Sequence, residues 1–206
     1  MTDSQNNNEQ YFTSDPKSNH HYYEIDYEID EVKFKFKSDN GVFSKKQIDF
    51  GSNLLIESFL DDEKKVNGDL LDLGTGYGVV GVTIGKILGL KPDMVDVNNR
   101  SLELAKYNLE NNNTLGNVFY SNIYSDISKV YDNILVNPPV RAGKKIVSEM
   151  LEKAYDYLKI NGALYVVLQR KQGSPSAQKL MEVTFGNVEK IRQDHGYNVL
   201  KSVKYE

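Results

Sequence analysis

From Asp69 onward this chain alternates short apolar runs with helical stretches, and that rhythm constrains its fold more than any other feature. Leu70–Leu73, Met94–Val97, Val118–Tyr120 and Ile134–Val136 read as buried strands. Between them lie stretches such as Ser101–Asn111, where Leu102, Ala105 and Leu109 recur at helical spacing. Strands joined by helices pair in parallel, and a sheet of such strands carries helices on both faces. Further along, Lys145–Leu158 reads as a helix and Ala163–Gln169 as a buried strand. Pro175–Thr184 reads as a helix with Ser174 as N-cap and Pro175 in its first turn. Val188–Arg192 and Tyr197–Val203 form a terminal hairpin around His195-Gly196. The expectation is an α/β fold with a mostly parallel seven-stranded sheet and a C-terminal antiparallel hairpin.

The rest of the chain sets limits on this core. With 206 residues and 39% hydrophobic content there is enough for one α/β domain and little for a second. Residues 1–20 are rich in Asn, Ser, Gln and Asp and are expected to be a disordered tail, leaving residues 21–206 as a single domain. Val32, Phe34 and Phe36 alternate with Lys33, Lys35 and Lys37, the pattern of a half-buried strand. The lysine row reads either as charge protecting a sheet edge or as a contact for RNA. Zero cysteines exclude a disulfide scaffold and a thiolate metal site. No N-terminal apolar run resembles a signal peptide or a membrane span, so a soluble cytoplasmic protein without membrane contact is expected. His20, His21 and His195 are too scattered for a metal site, and no metal is expected. A net charge of −4 opposes broad, nonspecific affinity for nucleic acid, so an RNA substrate would be met by local basic patches.

In an open α/β sheet, ligands sit beyond the carboxyl ends of the strands, and each candidate motif falls at such an end. Gly74, Gly76 and Gly78, with Thr75 and Tyr77 between them, follow the first strand where the chain must turn sharply and let a ligand approach the backbone. Gly76, Gly78 and Gly81 also spell G-x-G-x-x-G, so the loop alone fits NAD as well. Two features favour S-adenosylmethionine (SAM). Asp72 precedes the first glycine, where its carboxylate can face the ammonium of a methionine, and the downstream Asn-Pro-Pro has no use in a dehydrogenase. Asp96, followed by Val97, ends the second strand, placed either to accept from both ribose hydroxyls or to cap a helix. Asn122 and Ile123 follow the third strand where adenine would lie, and Asn122 reads equally as a turn former.

Asn137, Pro138 and Pro139 carry the sharpest chemical rationale. An exocyclic amine has its lone pair delocalised into the ring, so it is a poor nucleophile until its two hydrogens are held in a geometry that frees that pair. Two acceptors are needed, and the side-chain oxygen of Asn137 and the backbone carbonyl of Pro138 can supply them. The two prolines stiffen the loop before substrate arrives. The competing reading is a strand-ending Asn-Pro turn. Arg141, Lys144, Lys145, Arg170 and Lys171 follow strands four and five, where they would flank the pocket mouth and clamp RNA phosphates, or form an ordinary solvated face.

These motifs resemble the Rossmann-like class I SAM-dependent methyltransferases, and more closely the ribosomal RNA small-subunit methyltransferase C-like group in its short, single-domain form. The likeness runs from about Val32 to Tyr205, through GVFSKKQIDFGSNLL at Gly41–Leu55, DLGTGYGVVG, VDVN at Val95–Asn98, VNPPVRAGKK at Val136–Lys145 and QRKQGSPSA at Gln169–Ala177. The resemblance implies methylation of guanine N2 in ribosomal RNA or the small subunit. It implies that Phe43 to Ser52, including Ser44 and Gly51, lines the cofactor pocket, that Asp72 to Gly78 holds the methionine end, Asp96 the ribose and Asn122 the adenine, and that Asn137 and Pro138 hold the amine. Two positions depart from the pattern: Val140 stands where many amino-methyltransferases carry a base-stacking aromatic, which leaves Phe43 as a substitute, and Asn122 stands where relatives often carry Asp. Other amines fit the same grip, such as a protein glutamine or a DNA adenine, and a noncatalytic RNA-binding module that retains SAM is a further reading.

Overall fold

The computed structural model describes residues 20–40, 42, 46–62 and 67–206. The expected tail at residues 1–19 and the candidates Phe43 and Ser44 lie outside them. The chain runs β1 (Tyr22–Ile29), β2 (Val32–Asp39), α1 (Phe50–Asp61), β3 (Leu70–Leu73), α2 (Val79–Leu88), β4 (Asp93–Asp96), α3 (Asn99–Asn111), β5 (Asn117–Tyr120), β6 (Tyr131–Val136), α4 (Lys144–Lys153), β7 (Leu158–Gln169), α5 (Ser174–Phe185), β8 (Glu189–Asp194) and β9 (Tyr197–Val203). Seven strands form one sheet in the order β5-β4-β3-β6-β7-β9-β8, parallel from β5 to β7 and closed by the antiparallel β8–β9 hairpin. The expected α/β fold is the one observed. The order reverses between β3 and β6, so a crevice opens beyond their carboxyl ends.

The period of two in each strand divides the interior into two cores. Leu70, Leu135, Tyr165 and Val167 face α1, α2 and α3, which contribute Leu54, Phe59, Ile84 and Ala105. Leu71, Leu73, Ile134, Val136 and Val166 face α4 and α5, with Met150, Met181 and Phe185. Helices therefore cover both faces, as the doubly apolar strands require. Among the described residues no helix is long and apolar enough to cross a membrane.

The hairpin of β1 and β2 stands apart as a second, two-stranded sheet. Phe34 and Phe36 are buried in the α1–α3 core, each contributing about 1.5–3 kcal/mol of transfer free energy. β2 is the strand expected from its alternation, extended to Asp39, whereas β1 is an additional strand that pairs with it. Of the two readings of the lysine row, edge protection is unnecessary in the folded chain, because asparagines cover the edge of β2. Asn108 of α3 and its C-cap Asn112 accept from the backbone N–H groups of Lys37 and Lys35 at 2.7 and 2.9 Å, and the side-chain amides of Asn108, Asn111 and Asn112 donate to the same residues' carbonyls at 2.9 Å. A helix here completes a strand's hydrogen bonding with side chains, which is why the run of asparagines ends α3. Lys37 lies over the rings of Tyr22 and Tyr107.

Two further expectations are corrected. α4 ends at Lys153 rather than Leu158, because Leu158 is buried and begins β7 opposite Tyr131. Ser174 is the first residue of α5 and not its N-cap. Gly173 precedes the helix in the left-handed region at φ 108°, and the buried Ser174 hydroxyl accepts instead from Asn198 at 2.9 Å.

Candidate active site

The glycine loop is shaped by three left-handed turns, at Gly74 (φ 77°), Gly76 (φ 56°) and Gly78 (φ 96°), a region that L side chains rarely adopt. The backbone N–H groups of Gly74 and Thr75 both donate to Val95 O at 2.9 Å, which folds the loop over the end of β4. Among the described residues, a Cβ on Gly76 would meet nothing within 4 Å, and one on Gly74 only Met150 Cε at 3.6 Å, so both backbones border open space there. Gly78 has a different task. A Cβ there would come within 2.9 Å of Met94 Cε and 3.3 Å of Ala105 Cα, so this glycine lets α2 start against β4 and α3. It lies outside the pocket lining, whereas Gly74, Thr75, Gly76 and Tyr77 line it.

Two carboxylates flank the loop. Asp72 is buried, and both of its hydrogen bonds fall on Oδ2, from Thr75 Oγ1 at 2.6 Å and Gly81 N at 2.9 Å. Burial pushes its carboxyl up to about 6, against the pull of those two donors. Asp96 accepts from Asn98 N through Oδ1 and from Gly76 N through Oδ2, each at 2.9 Å, and burial likewise raises its pKa. The cap of α3 is not Asp96 but Asn98, whose side chain accepts from Arg100 N and Ser101 N. Each oxygen of Asp96 has a second lone pair to offer, and Asp96 and Val97 both line the pocket. Asn122 is exposed with its backbone N–H bonded to Ser125 Oγ, and Ile123 takes a left-handed turn at φ 58°; both line the pocket.

Beyond β6, Asn137 is held by groups that the sequence reading did not single out. Its Nδ2 donates to Asp49 Oδ2 and Ser52 Oγ, both at 3.0 Å. Asp49 is the N-cap of α1, accepting from Gly51 N and Ser52 N at 2.9 and 3.0 Å, so the helix start fixes the acceptor that fixes the amide. With the nitrogen spent on these bonds, the oxygen of Asn137 is the end left for the pocket. Gly51, expected among the cofactor contacts, lies behind this arrangement. A Cβ there would come within 3.2 Å of both Asp49 Oδ1 and Tyr197 Cε1. Pro138 O accepts from Val140 N at 2.9 Å across a tight turn centred on Pro139 (φ −75°, ψ 80°), which fixes the carbonyl's direction and leaves it a second lone pair.

These groups converge on one pocket of about 860 Å³, inside the range of small-molecule sites. Asn137, Pro138, Pro139, Val140 and Arg141 form one wall of it. Lys144, Lys145, Arg170 and Lys171 are exposed on the flanking segments and do not line it. Among the described residues no group of three or more His, Asp or Glu is placed to hold a metal.

A Rossmann-like sheet with a glycine loop after its first parallel strand, an acid ending the next and Asn-Pro-Pro ending the fourth defines the class: this is a SAM-dependent methyltransferase. More narrowly, the chain belongs to the methyltransferase small domain family, whose model matches residues 33–201. It is 38% identical over 200 residues to the uncharacterized protein YbxB of Bacillus subtilis, covering 95% of this chain and 98% of that one. It is 33% identical over 180 residues to the ribosomal RNA small subunit methyltransferase C of Psychromonas ingrahamii, covering 85% of this chain and 50% of the relative. The chain thus spans about half the length of that methyltransferase. In fold it resembles the T. thermophilus 16S rRNA N2 methyltransferase RsmC, solved with AdoMet and guanosine, at a TM-score of 0.81 and 22% identity over 89% of this chain and 50% of that one. A methyltransferase from Pyrococcus furiosus shares the fold at a TM-score of 0.66 and 22% identity, over 75% of this chain and 81% of that one.

Proposed function

We propose that this protein methylates the exocyclic N2 of a guanine in small-subunit ribosomal RNA, with SAM as donor. The observation that carries the reading is the fixed amide of Asn137: its nitrogen is tied back to Asp49 and Ser52, so a hydrogen-bond acceptor is presented to the pocket beside the cofactor loop. Two acceptors, here Asn137 Oδ1 and Pro138 O, match the two hydrogens of an amine, where a hydroxyl or thiol has one to give. Relatives named ribosomal RNA small subunit methyltransferase C support ribosomal RNA as the substrate, and the N2 methyltransferase of like fold supports the amine.

When bound, SAM supplies a methyl group activated by its sulfonium. The open backbones of Gly74 and Gly76 fit a ligand lying against the loop, Asp72 would hold the ammonium, Asp96 the ribose hydroxyls and Asn122 with Ile123 the adenine. Asn137 Oδ1 and Pro138 O would take one amine hydrogen each, turning the nitrogen lone pair out of conjugation before the reaction begins. The amine becomes acidic only as it gains its new bond, so no strong base is needed, and its proton passes to water or the Pro138 carbonyl. A guanine paired in a duplex cannot reach this wall, so the base must leave its stack. Arg141 at the wall, with Lys144, Lys145, Arg170 and Lys171 around it, would take the phosphates on either side.

The test is transfer of labelled methyl from SAM to unmodified small ribosomal subunits, naked ribosomal RNA and total protein, followed by nucleoside analysis. Label in N2-methylguanosine that disappears with Asn137→Ala is the expected result. Label in protein or in another nucleoside would overturn the substrate.

A further inference from the structure

A base held by its amino group alone pivots about that group, so a site of this kind also needs a flat surface for the ring. Val140, at the position after Asn-Pro-Pro, cannot provide one. The described aromatic residues that line the pocket are Tyr77, Tyr120 and Tyr197. Tyr77 is buried against Phe36, with ring centroids 6.2 Å apart. Tyr120 ends β5, three strands from β6, or roughly 14 Å at ordinary strand spacing, on the side read as the adenine end. Tyr197 is different. The position a Cβ on Gly51 would take lies 3.2 Å from Tyr197 Cε1 and 3.5 Å from Asn137 Nδ2, so this ring and the amine grip are near neighbours.

Tyr197 is also braced as a platform would be. Its hydroxyl accepts from Gln169 Nε2 at 2.6 Å, the cross-strand partner in the β7–β9 ladder. Phe50, 37% exposed at the start of α1, packs at 5.3 Å and 46° against the Tyr197 ring, and His195 packs edge-on to Phe50 at 5.0 Å. A pocket-lining ring with Phe50 packed against it and the amine grip beside it fits a planar purine. We propose that Tyr197, braced by Phe50 and Gln169, is the surface on which the target nucleobase stacks, replacing the aromatic that Val140 lacks. The proposal rests on the nucleobase reading of the site and names the residue that reads the ring rather than the amine. It also gives Gly51 its reason, since any larger residue would push the ring away from Asn137.

The experiment uses a single-stranded RNA oligonucleotide carrying 2-aminopurine, whose fluorescence falls on stacking, titrated into the protein saturated with S-adenosylhomocysteine. Quenching by the wild type and by Tyr197→Phe, with about tenfold or greater weakening in Tyr197→Ala, is expected from the worth of one base–aromatic stack. SAM affinity, measured by calorimetry on all three, should be unchanged and serves as the control for folding. Equal quenching by Tyr197→Ala would overturn the platform, as would a loss in Tyr197→Phe as large as in Tyr197→Ala, which would mean that the hydroxyl and not the ring is needed. Quenching that depends on Tyr197 in a protein that puts no methyl on guanine would keep the platform and remove the ribosomal RNA reading instead.

Discussion

The two ends of the sheet treat the same residue in opposite ways. At the amino ends of the strands, Asp69, Asp93 and Asp132 are met by cations: Lys159 lies 2.7 Å from Asp69 and 2.8 Å from Asp132, and Lys129 lies 3.0 Å from Asp93. The Tyr131 hydroxyl donates to Asp93 at 2.8 Å, and the hydrogen bond from Lys159 holds Asp69 below the usual carboxylate range. At the carboxyl ends, Asp72 and Asp96 form no ion pair among the described residues and are balanced only by amide and hydroxyl donors. Their carboxyls are pushed up rather than down. Asp69, just before β3, and Asp72 within it are three residues apart, as are Asp93 and Asp96 at the two ends of β4. One end has settled its charges internally; the other leaves two buried carboxyls with no cation beside them among the described residues, the pattern expected of a binding site.

β6 offers the sharpest way to break that contrast, because it carries Tyr131 at its start and Asn137 just past its end. Asn137→Ala should lower kcat on the order of 10²–10³-fold, by analogy with loss of a single preorganised group at a reacting centre, while SAM affinity and melting temperature hold. Steady-state kinetics beside calorimetry decides it, and a joint fall in activity and stability would mean that Asn137 belongs to the structural end after all. Next in size, Asp72→Asn should weaken SAM binding about 10- to 100-fold, the worth of a charge-assisted bond, without loss of stability at pH 7, since a buried unpaired charge is removed. A Tm that drops with the affinity would contradict the binding-site pattern.

The third prediction is a pH profile. The folded protein holds the proton of Asp72 up to about 6, against an ordinary value of 3.8, so the native state favours the protonated form and loses stability as pH rises across that window. A ligand's ammonium favours the ionised form, so SAM affinity should fall as pH drops below about 6, by up to about tenfold per unit, and the profile should flatten in Asp72→Asn. An unchanged slope in that variant would assign the titration elsewhere. The smallest effect sharpens the contrast from the opposite end: Tyr131→Phe should cost about 1 kcal/mol in chemical denaturation and leave SAM affinity and kcat alone.

The chain made the centre of its main sheet readable because β3, β4, β6 and β7 are largely buried and α2, α3 and α4 carry three of the four parallel crossovers. Strands β3 to β7 needed only local apolar runs, and the turn at His195-Gly196 marks the last hairpin, both residues being left-handed (φ 43° and 81°). β1 was harder to see. Tyr23, Ile25, Tyr27 and Ile29 do alternate with Glu24, Asp26 and Glu28, but only Ile25 is fully buried, and the turn to β2 uses Asp30 and Glu31 at φ 50° and 63° without a glycine to announce it. Within the site, the glycine loop and Asn-Pro-Pro were legible because their chemistry is local. The hold of Asp49 and Ser52 on Asn137 was not legible, since it spans 88 and 85 residues, nor was Tyr197, which arrives from the last strand. DFGS at Asp49 lies in the stretch that the resemblance assigned to the cofactor pocket, and it also caps α1.

The asparagines that seal β2 set a timetable for the chain's synthesis. The hairpin leaves the ribosome first, yet the side chains that complete its edge lie 71 to 77 residues further on. At ordinary elongation rates of about 5–20 residues per second, roughly 4–15 s pass with Lys35 and Lys37 presenting bare backbone to whatever is nearby. During that interval the three lysines of β2 carry the protective duty that the asparagines later assume, keeping other strands away by charge alone.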